Sequence, residues 1–226
     1  MTQLHQKLEE EVAASRFSGA VLVAKEETVL FRAAYGSQDA GKEFAVTPAT
    51  RFCIGSMGKM FTAVAILQLV QDGRLCLTDT VASLLPSYPD TALARLYDAH
   101  AAELQTLAGF IRLFGAREAA FPPGSRWGYS NFGFILLGAI IEQVSGLNWE
   151  ASLERSVFLP AGMPATSAAA SASATASPCT GAARTGLRPL PFYAGLHAGG
   201  GYSTIDDLHR FGMALRITAT VAAHRA

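Results

Sequence analysis

The stretch Ser56 to Asp72, "SMGKMFTAVAILQLVQD", limits the possible folds more than any other part of the chain. Met57, Met60, Phe61, Val64, Ile66, Leu67 and Val70 leave a helix there almost no polar face. Such a helix is stable only when neighbours cover it on nearly every side, so the pattern predicts a core helix of a globular domain. Gly73 is its expected stop, because glycine enters the left-handed conformation of a C-terminal cap without steric penalty. One ammonium stands inside this oily run: Lys59, three residues after Ser56. Residues at i and i+3 share a helix face, so the hydroxyl and the amine are neighbours at the N-terminal end.

Burial penalises the charged form of an amine and so favours a Lys59 that can accept a proton from a nearby hydroxyl. Unpaired N–H groups and the positive end of the helix dipole favour an oxyanion beside Ser56. These are the parts of an activated serine nucleophile. A buried lysine stem with its head in water is the other reading of the same residue. A second pair lies in "WGYSNFGFILLGAIIEQVSG". Tyr129 offers a phenol just ahead of another oily helix, expected from Asn131 to about Val144 and ended by Gly146. Asn131 offers an amide that can face a substrate carbonyl or amide. Taken alone, these two residues also read as a packed tyrosine and a helix-capping asparagine.

The rest of the chain bounds the class. Its 226 residues, half of them apolar, suffice for one substantial core, and we read residues 1–226 as a single domain. With 18 basic and 18 acidic side chains there is no electrostatic reason to expect nucleic acid or an anionic membrane as partner. The three cysteines are not a disulfide framework, and the five histidines have no metal-ligand spacing, so neither metal nor cofactor is expected. Leu4, Leu8 and Val12 mark a short amphipathic N-terminal helix without the charged-then-oily pattern of a signal peptide. The longest oily run, Phe132 to Ile141, falls short of the roughly 20 residues that span a bilayer.

"SGAVLVAKEETVLFRAAYG" predicts a hairpin of two strands, Ala20–Ala24 and Val29–Tyr35, apolar enough to expect cover on both faces. Thr91 to Gly115 is helical in pattern, and a further helix is expected at about Trp149–Val157. Residues 165–188 are low in complexity and predict a flexible loop. In "AGGGYST", Ser203 or Thr204 can cap a last helix with Asp206 and Asp207 in its first turn.

In sequence order, "RFCIGSMGKMFTAVAILQLVQDGRL" and "FPPGSRWGYSNFGFILLGAIIEQVSG" resemble the serine β-lactamase and penicillin-binding-protein superfamily, nearest its class C β-lactamases and related esterases and D-amino-acid peptidases. The hairpin, "FLPAGM" and "AGGGYSTIDDLHRFGMAL" fit the same order, so the resemblance covers about three quarters of the chain. It implies an α+β fold, a helical cluster packed on an antiparallel sheet. It also implies acyl transfer without a cofactor on a small-molecule ester, β-lactam or peptide. Ser56 would be the nucleophile, Lys59 and Tyr129 would share the general-base role, and Asn131 would bind substrate. Members of that superfamily are often periplasmic or secreted.

Two departures stand out. The superfamily's third motif, Lys- or His-x-Gly on a strand beside the site, has no counterpart after the last helix; "LHAGG" matches the segment that precedes it. No "LLTHTSG"-like segment lies between Asp90 and Phe121. The chain therefore reads as an incomplete copy of the fold, mostly helical plus an N-terminal hairpin. It would be a shortened product or one whose closing strands come from elsewhere. Either a working hydrolase or a catalytically impaired or purely binding relative is compatible with that.

Overall fold

In the computed structural model of the chain, residues 1–38, 44–86, 121–122, 124–168 and 196–223 are described. Helix α1 (Thr2–Ala13) leads to an antiparallel hairpin of β1 (Gly19–Lys25) and β2 (Thr28–Tyr35). A two-residue loop joins the strands, and Glu26 takes the positive φ of 55° that so tight a turn demands. The ladder runs from Gly19 opposite Tyr35 to Lys25 opposite Thr28, with a bulge between Val23 and Ala24.

The oily segment after the hairpin is not one helix. β3 (Phe52–Cys53) runs into a 3-10 turn, Gly55–Gly58, and only then into α2 (Lys59–Gln71). Ser56 therefore sits on the tighter turn and Lys59 opens the α-helix. Gly73, at φ 67°, lies just beyond the helix end, as its lack of Cβ allows. After the short α3 (Val81–Leu84), whose Thr80 and Ser83 form a reciprocal cap, come α4 (Asn131–Ser145) and α5 (Trp149–Leu153). Gly146 ends α4 in the left-handed conformation. The helix expected through Val157 changes character midway, since Glu154–Phe158 is a π-helical turn. A 3-10 turn (Leu196–Ala198), β4 (Tyr202–Ser203) and α6 (Ile205–Ala223) complete the described chain.

α2 lies at the centre, as its composition requires. Phe61 meets Phe158 and Phe211 edge-on, at ring-centroid distances of 5.0 and 4.8 Å, the arrangement that aromatic quadrupoles favour. Ile141 and Leu153 are fully buried in the same cluster. On its other side the core continues into polar groups, with Lys59, Thr62 and His197 all buried.

Some expectations need correction. The hairpin is not covered on both faces among the described residues: Val29 and Leu30 are exposed. It is tied to the helices by a two-pronged pair, Arg32 Nε and Nη2 to the two Asp206 oxygens at 2.8 and 2.6 Å. Residues 165–168, assigned by composition to a flexible loop, are held in place. Ser167 exchanges backbone hydrogen bonds with Tyr202, and Thr166 donates to the buried Asp207 carboxylate. The remainder of that stretch, the helix expected over Thr91–Gly115 and the Asp90–Phe121 comparison fall almost wholly outside the described residues. Cys53 is disulfide-bonded, whereas Cys76 is free and exposed. No single described helix is long and apolar enough to cross a membrane.

Candidate active site

Three segments far apart in sequence build the site. The first is the turn carrying Ser56. The backbone of Gly199–Gly201 presses against it: Gly200 N–H donates to Gly55 O at 2.9 Å and Ile54 N–H to Gly201 O at 3.2 Å. β3 and β4 continue this contact as an antiparallel pair, Phe52 opposite Ser203 and Cys53 opposite Tyr202. A Cβ at Gly199 would lie 2.9 Å from Gly55 O and 3.1 Å from Ser56 Cα, so only a bare backbone fits there. The glycine run in "AGGGYST" is thus what lets a strand reach the turn that carries Ser56. Composition alone marks it only as permissive chain.

The same segment runs on into the start of α2. Lys59 is 7% exposed and donates to Ser56 Oγ at 3.1 Å. It also donates to the carbonyl of Ala198, which belongs to the segment of the glycine run. The solvent-reaching lysine considered from sequence is therefore not the conformation adopted. The phenol of Tyr129 completes the cluster, 2.9 Å from Ser56 Oγ although the residues are 73 positions apart. Lys59 Nζ lies 5.0 Å from the centre of the Tyr129 ring. Hydrogen bonding from Lys59, then from Ser56, favours the phenolate and holds the Tyr129 phenol below its ordinary value, against a smaller opposing effect of burial.

Tyr129 is carried by an extended segment that ends at Ser130, whose Oγ caps α4 by accepting from Gly133 N–H at 2.9 Å. The cap is therefore Ser130 and not Asn131. Asn131 is exposed at the first position of α4, and no hydrogen bond joins it to Ser56, Lys59 or Tyr129 among the described residues. Of the four residues singled out from sequence, three converge and one stands beside them.

The floor of the site was not legible in the motifs. Thr62, one turn along α2 from Lys59, donates to His197 O at 3.0 Å, and Trp149 Nε1–H donates to Thr62 Oγ1 at 3.2 Å. His197 is buried against Trp149, with ring centroids 4.7 Å apart. Its Nε2 faces Glu142 Oε1 at 3.7 Å. Burial pushes the Glu142 carboxyl upward, but the facing His197 ring and the N–H of Trp149 outweigh it, so the group ionises below its ordinary value. At the other end, Thr204 rather than Ser203 caps α6, accepting from Asp207 N–H at 3.2 Å. Ser203 is instead buried against Thr166, 2.7 Å between hydroxyl oxygens.

Chemically, the arrangement offers a hydroxyl with two potential proton acceptors within hydrogen-bond reach. The N–H of Ser56 precedes the first bond of its turn, Met57 N–H to Ile54 O, and donates to no backbone carbonyl among the described residues. Among the described residues no cluster of metal-binding side chains occurs.

The chain is similar to known proteins over most of its length. The chain is 29% identical to penicillin-binding protein 4* of Bacillus subtilis over 67% of its own length and 38% of that protein's. It is 26% identical to the putative penicillin-binding protein PbpX of the same organism, over 93% of its own length and 58% of the relative's. It thus spans about two fifths to three fifths of these curated relatives. The crystal structure of a penicillin-binding protein from Bacillus halodurans superposes on 92% of the chain and 73% of its own, at a TM-score of 0.75 and 29% identity. The family model described as "Beta-lactamase" matches residues 4–226, which makes this chain a member of the β-lactamase family with the α+β fold of the penicillin-binding proteins.

Proposed function

We propose that the chain carries the acylation centre of a serine hydrolase acting on an ester, β-lactam or peptide bond. The observation that carries the reading is the buried Lys59 amine 3.1 Å from Ser56 Oγ, with the Tyr129 phenol 2.9 Å away on the same oxygen. Ser56 Oγ attacks the carbonyl carbon, and its proton passes to Lys59 or to the Tyr129 phenolate. The bond to the leaving group breaks, and the departing oxygen or nitrogen takes that proton. Water then releases the acyl group and restores the hydroxyl. Lys59 and Tyr129 both contact Ser56 Oγ, so either can take its proton. Asn131, exposed at the head of α4, would bind the substrate's amide or carbonyl.

Membership of a family that includes penicillin-binding proteins supports this class of reaction. The test is incubation with a fluorophosphonate and with a penicillin, followed by peptide mass spectrometry. The expected result is an adduct on Ser56 that disappears in Ser56→Ala. A folded protein that stays unmodified would overturn the proposal. A second reading is a binding relative that keeps the same side-chain cluster and does not turn substrate over. A chromogenic ester hydrolysed by the wild type and not by Ser56→Ala decides between them.

A further inference from the structure

We propose that His197 is a positioning residue for Lys59, acting through the 3-10 turn Leu196–Ala198 and anchored by Glu142; the inference rests on the acylation role proposed above. α2 makes two hydrogen bonds to successive carbonyls of this turn: Thr62 Oγ1 donates to His197 O, and Lys59 Nζ donates to Ala198 O. The turn's placement therefore decides where the amine stands relative to Ser56. On its C-terminal side the turn is tied to the Ser56 turn through the glycines that follow it, by Gly200 N–H to Gly55 O and Ile54 N–H to Gly201 O. Three glycines follow it, at φ values of 146°, 108° and 76°, and glycine is the residue with most conformational freedom to lose.

The turn's own side-chain anchor is His197. The ring lies directly over Gly138 of α4, where a Cβ would come within 2.1 Å of His197 Cδ2. Trp149 closes one side, and Glu142, one helical turn after Gly138, faces Nε2. Glu142 is itself oriented, because its Oε1 accepts from Trp149 N–H at 2.8 Å. Nδ1 of His197 is buried without a hydrogen-bond partner among the described residues. A lone pair is better placed there than an N–H, which puts the proton on Nε2, facing the carboxylate. A histidine held this way sets one backbone carbonyl, and that carbonyl sets the base. Displacements of about 1 Å in such a chain cost up to about 100-fold in rate.

The experiment measures saturation kinetics of Ser56 labelling by a fluorophosphonate, with crystal structures of the wild type and variants. His197→Ala is expected to lower the maximal labelling rate by about 10–100-fold, with the half-saturating probe concentration unchanged. His197→Gln, which can direct an N–H toward Glu142, is expected to recover most of that loss. Glu142→Gln keeps an oxygen for Trp149 N–H, removes the charge facing the ring, and is expected to lower the maximal rate in the same sense. This variant carries the test if His197→Ala does not fold. In the crystal structures the Lys59 amine is expected to leave the Ala198 carbonyl in His197→Ala and to stay on it in His197→Gln. A wild-type maximal rate in Glu142→Gln, a loss confined to half-saturation, or a Gln variant no better than Ala would overturn the inference. So would an unmoved Lys59 amine in His197→Ala. If the wild type itself were never labelled, the proposed function would fall, and the crystal structures alone would still decide whether His197 positions Lys59.

Discussion

Gly138→Ala tests the packing beneath the site, because two opposing effects differ there in sign. In the interior of a helix, replacing glycine by alanine ordinarily stabilises by about 1 kcal/mol. At Gly138 the new Cβ would stand 2.1 Å from His197 Cδ2, 2.4 Å from Cγ and 2.5 Å from Cβ. To restore ordinary carbon–carbon contact at about 3.5 Å, the ring must retreat by about 1.4 Å. Trp149 stands against the ring and the side chain is buried, so the strain spreads into the turn that receives the Thr62 and Lys59 hydrogen bonds. Overpacking of this kind costs about 1–3 kcal/mol, and each weakened hydrogen bond adds about 0.5–1.5 kcal/mol. Set against the helix-propensity gain, the middle of these ranges gives a net loss of about 3 kcal/mol, or a fall in Tm of about 6–12 °C for a chain of this size. Gly212, exposed within α6 with open space for 4 Å around the place a Cβ would take, supplies the control. Gly212→Ala is expected to raise Tm by about 2–4 °C. Thermal unfolding followed by circular dichroism measures both. A Gly138→Ala protein as stable as the wild type, beside a stabilised Gly212→Ala, would refute the reasoning.

Tyr129 is held below its ordinary phenol value by Lys59 and Ser56, so its base form gains population at lower pH than a free tyrosine's. Ser56 labelling should rise with pH, with a midpoint below the usual value of about 10, and Tyr129→Phe should remove that rise from the pH–rate profile. Asp206 is depressed chiefly by its hydrogen bonds from Arg32, so the pair stabilises the fold above the unfolded carboxyl value of about 3.9 and loses its contribution as pH falls through the folded one. Arg32→Ala should therefore cost about 0.5–1 kcal/mol at neutral pH, a small figure because the pair is partly exposed and screened, and the difference from wild type should vanish in acid denaturant titrations. Phe61→Ala removes the ring that Phe158 and Phe211 meet edge-on and should cost about 3–5 kcal/mol in urea unfolding.

Much of the fold was legible because it depends on neighbours in sequence. A helix with no polar face had to be central, and α2 is. Gly73 and Gly146 end their helices with φ values of 67° and 74°, the conformation glycine permits. Ser56 and Lys59 are neighbours by helical spacing, even though a 3-10 turn carries the first and an α-helix the second. Ordered motifs placed the chain in its family without any coordinates.

Only tertiary structure decided what those residues face. Tyr129 reaches Ser56 across 73 positions, and Ala198 O reaches Lys59 across 139. No local period encodes such pairings, because they depend on how whole elements stack. The fit of His197 over Gly138 is of the same kind: an ordinary histidine and a helix-weakening glycine acquire meaning only as two halves of one contact. The exposed strand at Val29 and Leu30 marks the converse case. Strand composition records an affinity for cover, whereas the arrangement of neighbouring elements determines whether that cover is there.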